Sequence, residues 1–172
     1  MVVLDTSIFE KQMNPDAKTV FTRIDYLIAY GFGSGLAPAA PGTAGSLLAL
    51  LLFIPMLWLP LMFQLALILV TLALGIFVSG KVARELALKD PSGIVIDEFV
   101  GMWIAMLFLP GLLWLVPAFL LFRLFDIAKP WPVGLIDRKL EGGPGIMLDD
   151  VVAGLYALGA LQIAHYIIQQ VT

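Results

Sequence analysis

The sequence predicts an all-α protein: a polytopic membrane helix bundle of about five apolar helices, preceded by an N-terminal interfacial helix. Three observations lead there. Of 172 residues, 60% are hydrophobic and 13% charged, against about 45–50% and about 25% in a soluble domain. One short domain cannot hide that excess in its own core, so part of it must face lipid. Residues 26–80, 99–122 and 151–172 contain no Asp, Glu, Lys or Arg. The cations gather at those ends of the apolar stretches that five spans would place on a single side.

Residues 1–17 form a polar lead-in with Asp5, Glu10, Lys11, Asn14, Pro15 and Asp16; they lack the pattern of a signal peptide. Residues 18–172 read as a single membrane-embedded helical domain, without internal repeat or linker. Residues 19–30 suit an interfacial helix, because Lys18, Arg23 and Asp25 alternate with Phe21, Ile24, Tyr26 and Leu27. The stretch 26–80 is too long for one span and contains Pro55 and Pro60, so a hairpin of helices at 45–59 and 61–80 is expected. Pro110-Gly111 is a turn signal, dividing the next region into helices at 94–109 and 112–128. A last helix covers 148–169. Several of these are shorter than the roughly 20 residues of a perpendicular span, which local thinning of the bilayer accommodates.

The charges support this order. Lys11, Lys18 and Arg23 precede the first span; Lys81, Arg84 and Lys89 follow the second; Arg123 and Lys129 end the fourth, with Arg138 and Lys139 beyond. Five spans bring all of them to one side, which the positive-inside tendency makes the cytoplasm. The net charge of −3 gives no basis for nucleic-acid binding. There is no cysteine, and the single histidine, His165, lies far from the acids and is read as structural. Trp58, Trp103 and Trp114 are read as packing or interfacial aromatics, and Trp131 as a headgroup-level anchor.

What remains for chemistry is carboxylates, Lys and Arg on the predicted cytoplasmic side. Asp97 and Glu98 either enjoy the helix dipole of a first turn or line a polar cavity, since ionisable groups inside an apolar span usually do. As neighbours on a helix they point about 100° apart, so a shared face is not expected. Arg123, Asp126 and Lys129 recur every third residue; they form either an ion-pair ladder or a phosphate-binding face with Asp126 on a metal. Asp149 and Asp150 either cap the last helix or, with Gly154 and the alanines at 153, 157, 160 and 164, face a tightly packed neighbour. The run Gly31-Phe32-Gly33-Ser34-Gly35 matches neither nucleotide fingerprint; it is either an interfacial loop or a source of N–H donors for phosphate, with Thr43 and Ser46 nearby as caps or contacts. Oxygen-only ligand sets favour hard cations, above all Mg²⁺.

Gly31-Phe32-Gly33-Ser34-Gly35, Pro41-Gly42-Thr43, Asp97-Glu98-Phe99-Val100-Gly101-Met102-Trp103, Phe122-Arg123, Asp126-Ile127-Ala128-Lys129-Pro130-Trp131-Pro132 and Gly145-Ile146-Met147-Leu148-Asp149-Asp150 closely resemble the phosphatidylglycerophosphatase A family, in order, over residues 27–155. The resemblance implies a bacterial inner-membrane hydrolase with its site facing the cytoplasm, converting phosphatidylglycerophosphate to phosphatidylglycerol and phosphate with Mg²⁺. On that reading Asp97, Glu98, Asp126 and Asp150 are the expected catalytic groups. They and Asp149 are the expected metal ligands. Arg123, Lys129, Arg138, Gly33, Ser34 and Thr43 are expected to bind the anionic phospholipid, with Asp137 in a secondary place. The competing expectation is a small ion-coupled carrier that uses the same intramembrane carboxylates.

Overall fold

The computed structural model describes residues 15–171, apart from the side chains of residues 136–138. Most of the polar lead-in therefore lies outside the described residues. Those described are helical or in turns, and the bundle has the predicted class.

The segment expected at the interface is two short helices, α1 (Ala17–Thr22) and α2 (Ile24–Ala29), where one was expected. Asp16 caps α1 by accepting from the Thr19 N–H at 2.9 Å. Arg23 breaks the run with extended backbone at φ −110°, ψ 120°. Its guanidinium then reaches Asp25 at 2.6 Å and Glu85 at 2.8 Å, which pins α2 to a distant helix. The glycine-rich run forms a 3₁₀ turn, Gly31–Leu36. Phe32 and Gly33 there have φ of 56° and 97°, and glycine relieves that geometry at position 33.

Helix α3 (Pro41–Phe53) tightens into a 3₁₀ turn at Ile54–Trp58, where Pro55 cannot donate an α-helical hydrogen bond. Helix α4 (Leu61–Leu86) returns and runs past the expected end at 80. Its final turns carry Lys81, Arg84 and Glu85, which can rise above the lipid. Next come α5 (Ile96–Ala105), a 3₁₀ turn at Leu112–Trp114, α6 (Leu115–Ala128), α7 (Val133–Lys139) and the long α8 (Gly142–Val171).

Among the described residues, three segments are long and apolar enough to cross a membrane: Pro41–Trp58, Leu61–Leu86 and Gly142–Val171. Helix α5 is not among them. Its ten residues rise only about 15 Å, half of a bilayer core. The expected helix at 94–109 stops at Ala105, after which Phe108 turns the chain at φ 58°. Val100, Met102, Trp103 and Ala105 are buried, and α5 packs against α3, α4, α6 and α8. It is a core helix of the bundle.

Close helix crossings hold this core. A Cβ on Gly154 of α8 would meet the Gly101 backbone of α5, and one on Gly143 would meet the Ile76 carbonyl of α4. Ala153, Ala157 and Leu161 are buried along the same stripe. Trp103 fills the gap to α3, its indole N–H donating to the Ala49 carbonyl at 2.8 Å and its ring stacking on Phe53 at 5.7 Å. Phe63, Leu69, Val70, Phe77, Leu124 and Ile163 are exposed, as lipid-facing residues should be.

Candidate active site

Four helices deliver polar side chains to one end of the bundle. Helix α5 brings Asp97 and Glu98 in its first turn. Helix α6 brings Arg123 and Asp126 in its last turns and ends at Lys129, which sits at φ 43°. Helix α8 brings Asp149 and Asp150, 6% and 2% exposed. Helix α3 contributes Gly42 and the buried Ser46.

Asp97, Glu98 and Asp150 each place one carboxylate oxygen within 4.8 Å of the others'. Asp97 and Glu98 thus converge, against the divergence their adjacency suggests. A first-turn position leaves room for the longer Glu98 side chain to swing back, and Gly42 leaves the space it enters. Arg123 Nη1 lies 3.7 Å from Glu98 Oε1, pairs with Asp126 Oδ2 one turn along α6, and is 3.4 Å from Ser46 Oγ. The Ser46 hydroxyl itself donates to the Gly42 carbonyl at 2.8 Å. Lys129 leaves the row of Arg123 and Asp126: its left-handed backbone sends the ammonium to Asp149 Oδ2 at 2.9 Å. The Arg123–Asp126 step of an ion-pair ladder is formed.

The charge balance points to a cation. Asp97, Glu98, Asp126, Asp149 and Asp150 face Arg123 and Lys129, so carboxylates outnumber cations in a low-dielectric setting, where uncompensated charge costs several kcal/mol per ion (an order of magnitude of roughly 3–5). Asp97 Oδ1, Glu98 Oε2 and Asp150 Oδ2 are buried and have no hydrogen-bond partner, which is unusual for such groups. Oxygens on one hard divalent ion lie up to about 4–5 Å apart, so the present spread fits a shared ion with small side-chain rotation. The donor set is all oxygen, which suits such an ion.

The remaining expected residues lie less centrally. A Cβ on Gly33 would meet the Phe21 ring, and Ser34 Oγ donates to the Gly31 carbonyl at 2.8 Å; neither has a described contact with the carboxylates. Thr43 is in the first turn of α3, but its N–H and that of Ala44 already bond the Ala40 carbonyl at 3.0 and 3.2 Å. Two of the backbone donors expected for phosphate are thereby taken. Arg138 and Asp137 belong to α7, and their side chains lie outside the described residues. His165 packs edge-on against Trp114 at 5.5 Å, in keeping with a structural part. Trp131 is exposed, and its carbonyl accepts from Tyr156 at 3.0 Å.

Gly42 is the residue to which sequence reasoning assigned no role. A Cβ there would strike Glu98 Oε1 and lie 3.2 Å from Arg123 Nη1. The available signal was a glycine directly after a proline at a helix start, where propensity argues for another residue and close approach for this one.

Comparison with known proteins agrees with the resemblance. The family model described as Phosphatidylglycerophosphatase A matches residues 27–165. A Phosphatidylglycerophosphatase A of Escherichia coli (strain K12) is 40% identical over 82% of this chain and 84% of its own length. Another, from Haemophilus influenzae, is 44% identical over 84% of this chain and 91% of its own. A Bacteroides thetaiotaomicron protein with the provisional name phosphatidylinositol-3-phosphatase is 42% identical over 83% and 94%. No solved structure matches.

Proposed function

The chain belongs to the phosphatidylglycerophosphatase A family, and from that premise we propose that it hydrolyses phosphatidylglycerophosphate to phosphatidylglycerol and phosphate with Mg²⁺, at the cytoplasmic face of a bacterial inner membrane. The chain is a phosphatase, and its apolar helices associate it with a membrane; the rival expectation of an ion-coupled carrier is not the one its relatives support. The observation that carries the proposal is the convergence of the Asp97, Glu98 and Asp150 carboxylates, each with a buried unpartnered oxygen, beside the Arg123 guanidinium.

In this reading Asp97, Glu98 and Asp150 hold Mg²⁺. When bound, the ion neutralises phosphate oxygens and acidifies water. Arg123 holds Asp126 and Glu98 in place, and its planar fork suits phosphate oxygens. Lys129, tethered to Asp149 at 2.9 Å and partly exposed, offers its ammonium to the incoming phosphomonoester. Asp126 accepts the proton of the attacking water. The water oxygen bonds phosphorus, the phosphorus–oxygen bond to the glycerol breaks, and the released oxygen takes the proton held by Asp126 to become the lipid hydroxyl. The support for cytoplasmic placement is the charge asymmetry of the sequence.

The test is phosphate release by the purified protein from phosphatidylglycerophosphate, phosphatidate and phosphatidylinositol 3-phosphate, each with Mg²⁺ and with EDTA. The expected result is Mg²⁺-dependent release from the first, well above the other two. Equal rates with EDTA present would remove the metal from the proposal. Preference for another headgroup would replace the substrate.

A further inference from the structure

Arg123 enters the carboxylate cluster from α6, and the contacts that hold it fall on one nitrogen. Nη1 pairs with Asp126 Oδ2 of the same helix, lies 3.7 Å from Glu98 Oε1 of α5 and 3.4 Å from Ser46 Oγ of α3. Nε is buried and has no hydrogen-bond partner among the described residues. In a guanidinium the Nε–H and the nearer N–H of Nη2 run parallel, and that edge can take two oxygens of one phosphate. Holding Nη1 alone therefore steers the group without using the edge.

The three holds are not equivalent. In the reaction proposed above Glu98 binds the ion and Asp126 takes the proton of water, so the charge of each is shared or changed during turnover. Ser46 has no such duty. It is fully buried, and its hydroxyl donates to the Gly42 carbonyl at 2.8 Å. A hydroxyl has one proton and two acceptor lone pairs, so with the proton committed the oxygen can only accept toward Arg123. A neutral acceptor also leaves the guanidinium its full positive charge for an anion. The ordinary role of such a serine is local: its hydroxyl bonds a carbonyl four residues back, which slightly destabilises a helix. The second contact is not local, because it crosses from α3 to α6 over 77 residues of sequence.

We propose that Ser46 is a positioning residue for Arg123: it fixes Nη1 from the side of α3, so that the Nε–Nη2 edge is set for two oxygens of the phosphomonoester. The inference rests on the reading of the cluster as a phosphatase centre and adds one residue to it. Ser46 acts through Arg123 and not through the ion. Its loss should therefore weaken substrate capture and leave the demand for Mg²⁺ unchanged.

Ser46→Ala tests this, since it removes the hydroxyl, keeps the Cβ and places a better helix former in α3. Phosphate release from phosphatidylglycerophosphate should show KM raised about tenfold, the loss of one hydrogen bond to a charged group, with kcat lowered less. The Mg²⁺ concentration for half-maximal rate should match that of the wild type, and the melting temperature should stay or rise. In an Arg123→Lys background, which keeps the charge and lacks the fork, Ser46→Ala should cost no further activity. A wild-type KM in Ser46→Ala would overturn the inference. So would a shifted Mg²⁺ midpoint, a lowered melting temperature, or a further tenfold loss in the Arg123→Lys background. These outcomes leave the substrate reading standing. A wild-type chain that releases no phosphate from phosphatidylglycerophosphate would overturn that reading, and this inference with it.

Discussion

Gly42, in the first turn of α3, stands so close to Glu98 that a methyl group on its Cα would overlap the Oε1 atom. The helix start is thus shaped around a carboxylate from another helix, and the shape extends to Arg123, whose guanidinium faces the same space. A small change at Gly42 should act on the site before it acts on the fold.

Gly42→Ala should lower kcat/KM for phosphate release about 10- to 100-fold by displacing Glu98 and Arg123. Its stability cost should stay within about 1–3 kcal/mol, the usual range for an extra methyl in a packed interior. Parallel rate measurements and thermal melts check this. A variant with wild-type kcat/KM would show that the Glu98 position is not critical.

Asp97→Asn and Asp150→Asn each remove charge where three carboxylates converge. Both variants should remain folded and lose turnover by at least about 100-fold, the scale on which ligand or base removal acts. The metal requirement has a second readout. Mg²⁺ should raise the wild-type melting temperature, because a ligand that binds only the folded chain stabilises it, and the rise should shrink in Asp150→Asn. An undiminished rise would place the ion elsewhere.

The Lys129–Asp149 pair joins the end of α6 to the start of α8 at 2.9 Å. Lys129→Met should destabilise by about 1–3 kcal/mol, since it removes an ion-pair partner from a buried carboxylate. Adding Asp149→Asn should cost less than the two single changes together. Chemical denaturation of the single and double variants measures the coupling, and strict additivity would mean that the pair contributes nothing as a pair.

Asp25 gives the expected pH response of the interfacial region. Hydrogen bonds from Arg23, opposed by burial and joined by Lys81, hold its carboxyl well below the usual carboxylate range. A depressed carboxylate contributes stability at pH above its unfolded value of about 3.9, and that contribution is lost as pH falls through the folded value. Wild-type melting temperature should therefore fall as pH drops below about 4. Asp25→Asn should melt lower at neutral pH and show a flatter acid limb. Identical acid limbs in the two proteins would contradict the assignment.

Local chemistry in the chain was enough to determine the helical class, the apolar character, the gathering of charge at one end and most of the residues now seen in the cluster. Hydropathy and charge spacing act locally, so they can be read in order along the chain. Tertiary structure decided what depends on packing between distant segments. Helix α5 looked like a span because buried and lipid-facing apolar residues read alike; its shortness and burial among four helices make it core. Glu98 reaches the cluster through the room that Gly42 of α3 leaves, and Lys129 turns to Asp149 from a left-handed backbone at the end of α6. Such contacts depend on helix crossings at Gly101 and Gly154, whose geometry no one-dimensional spacing contains.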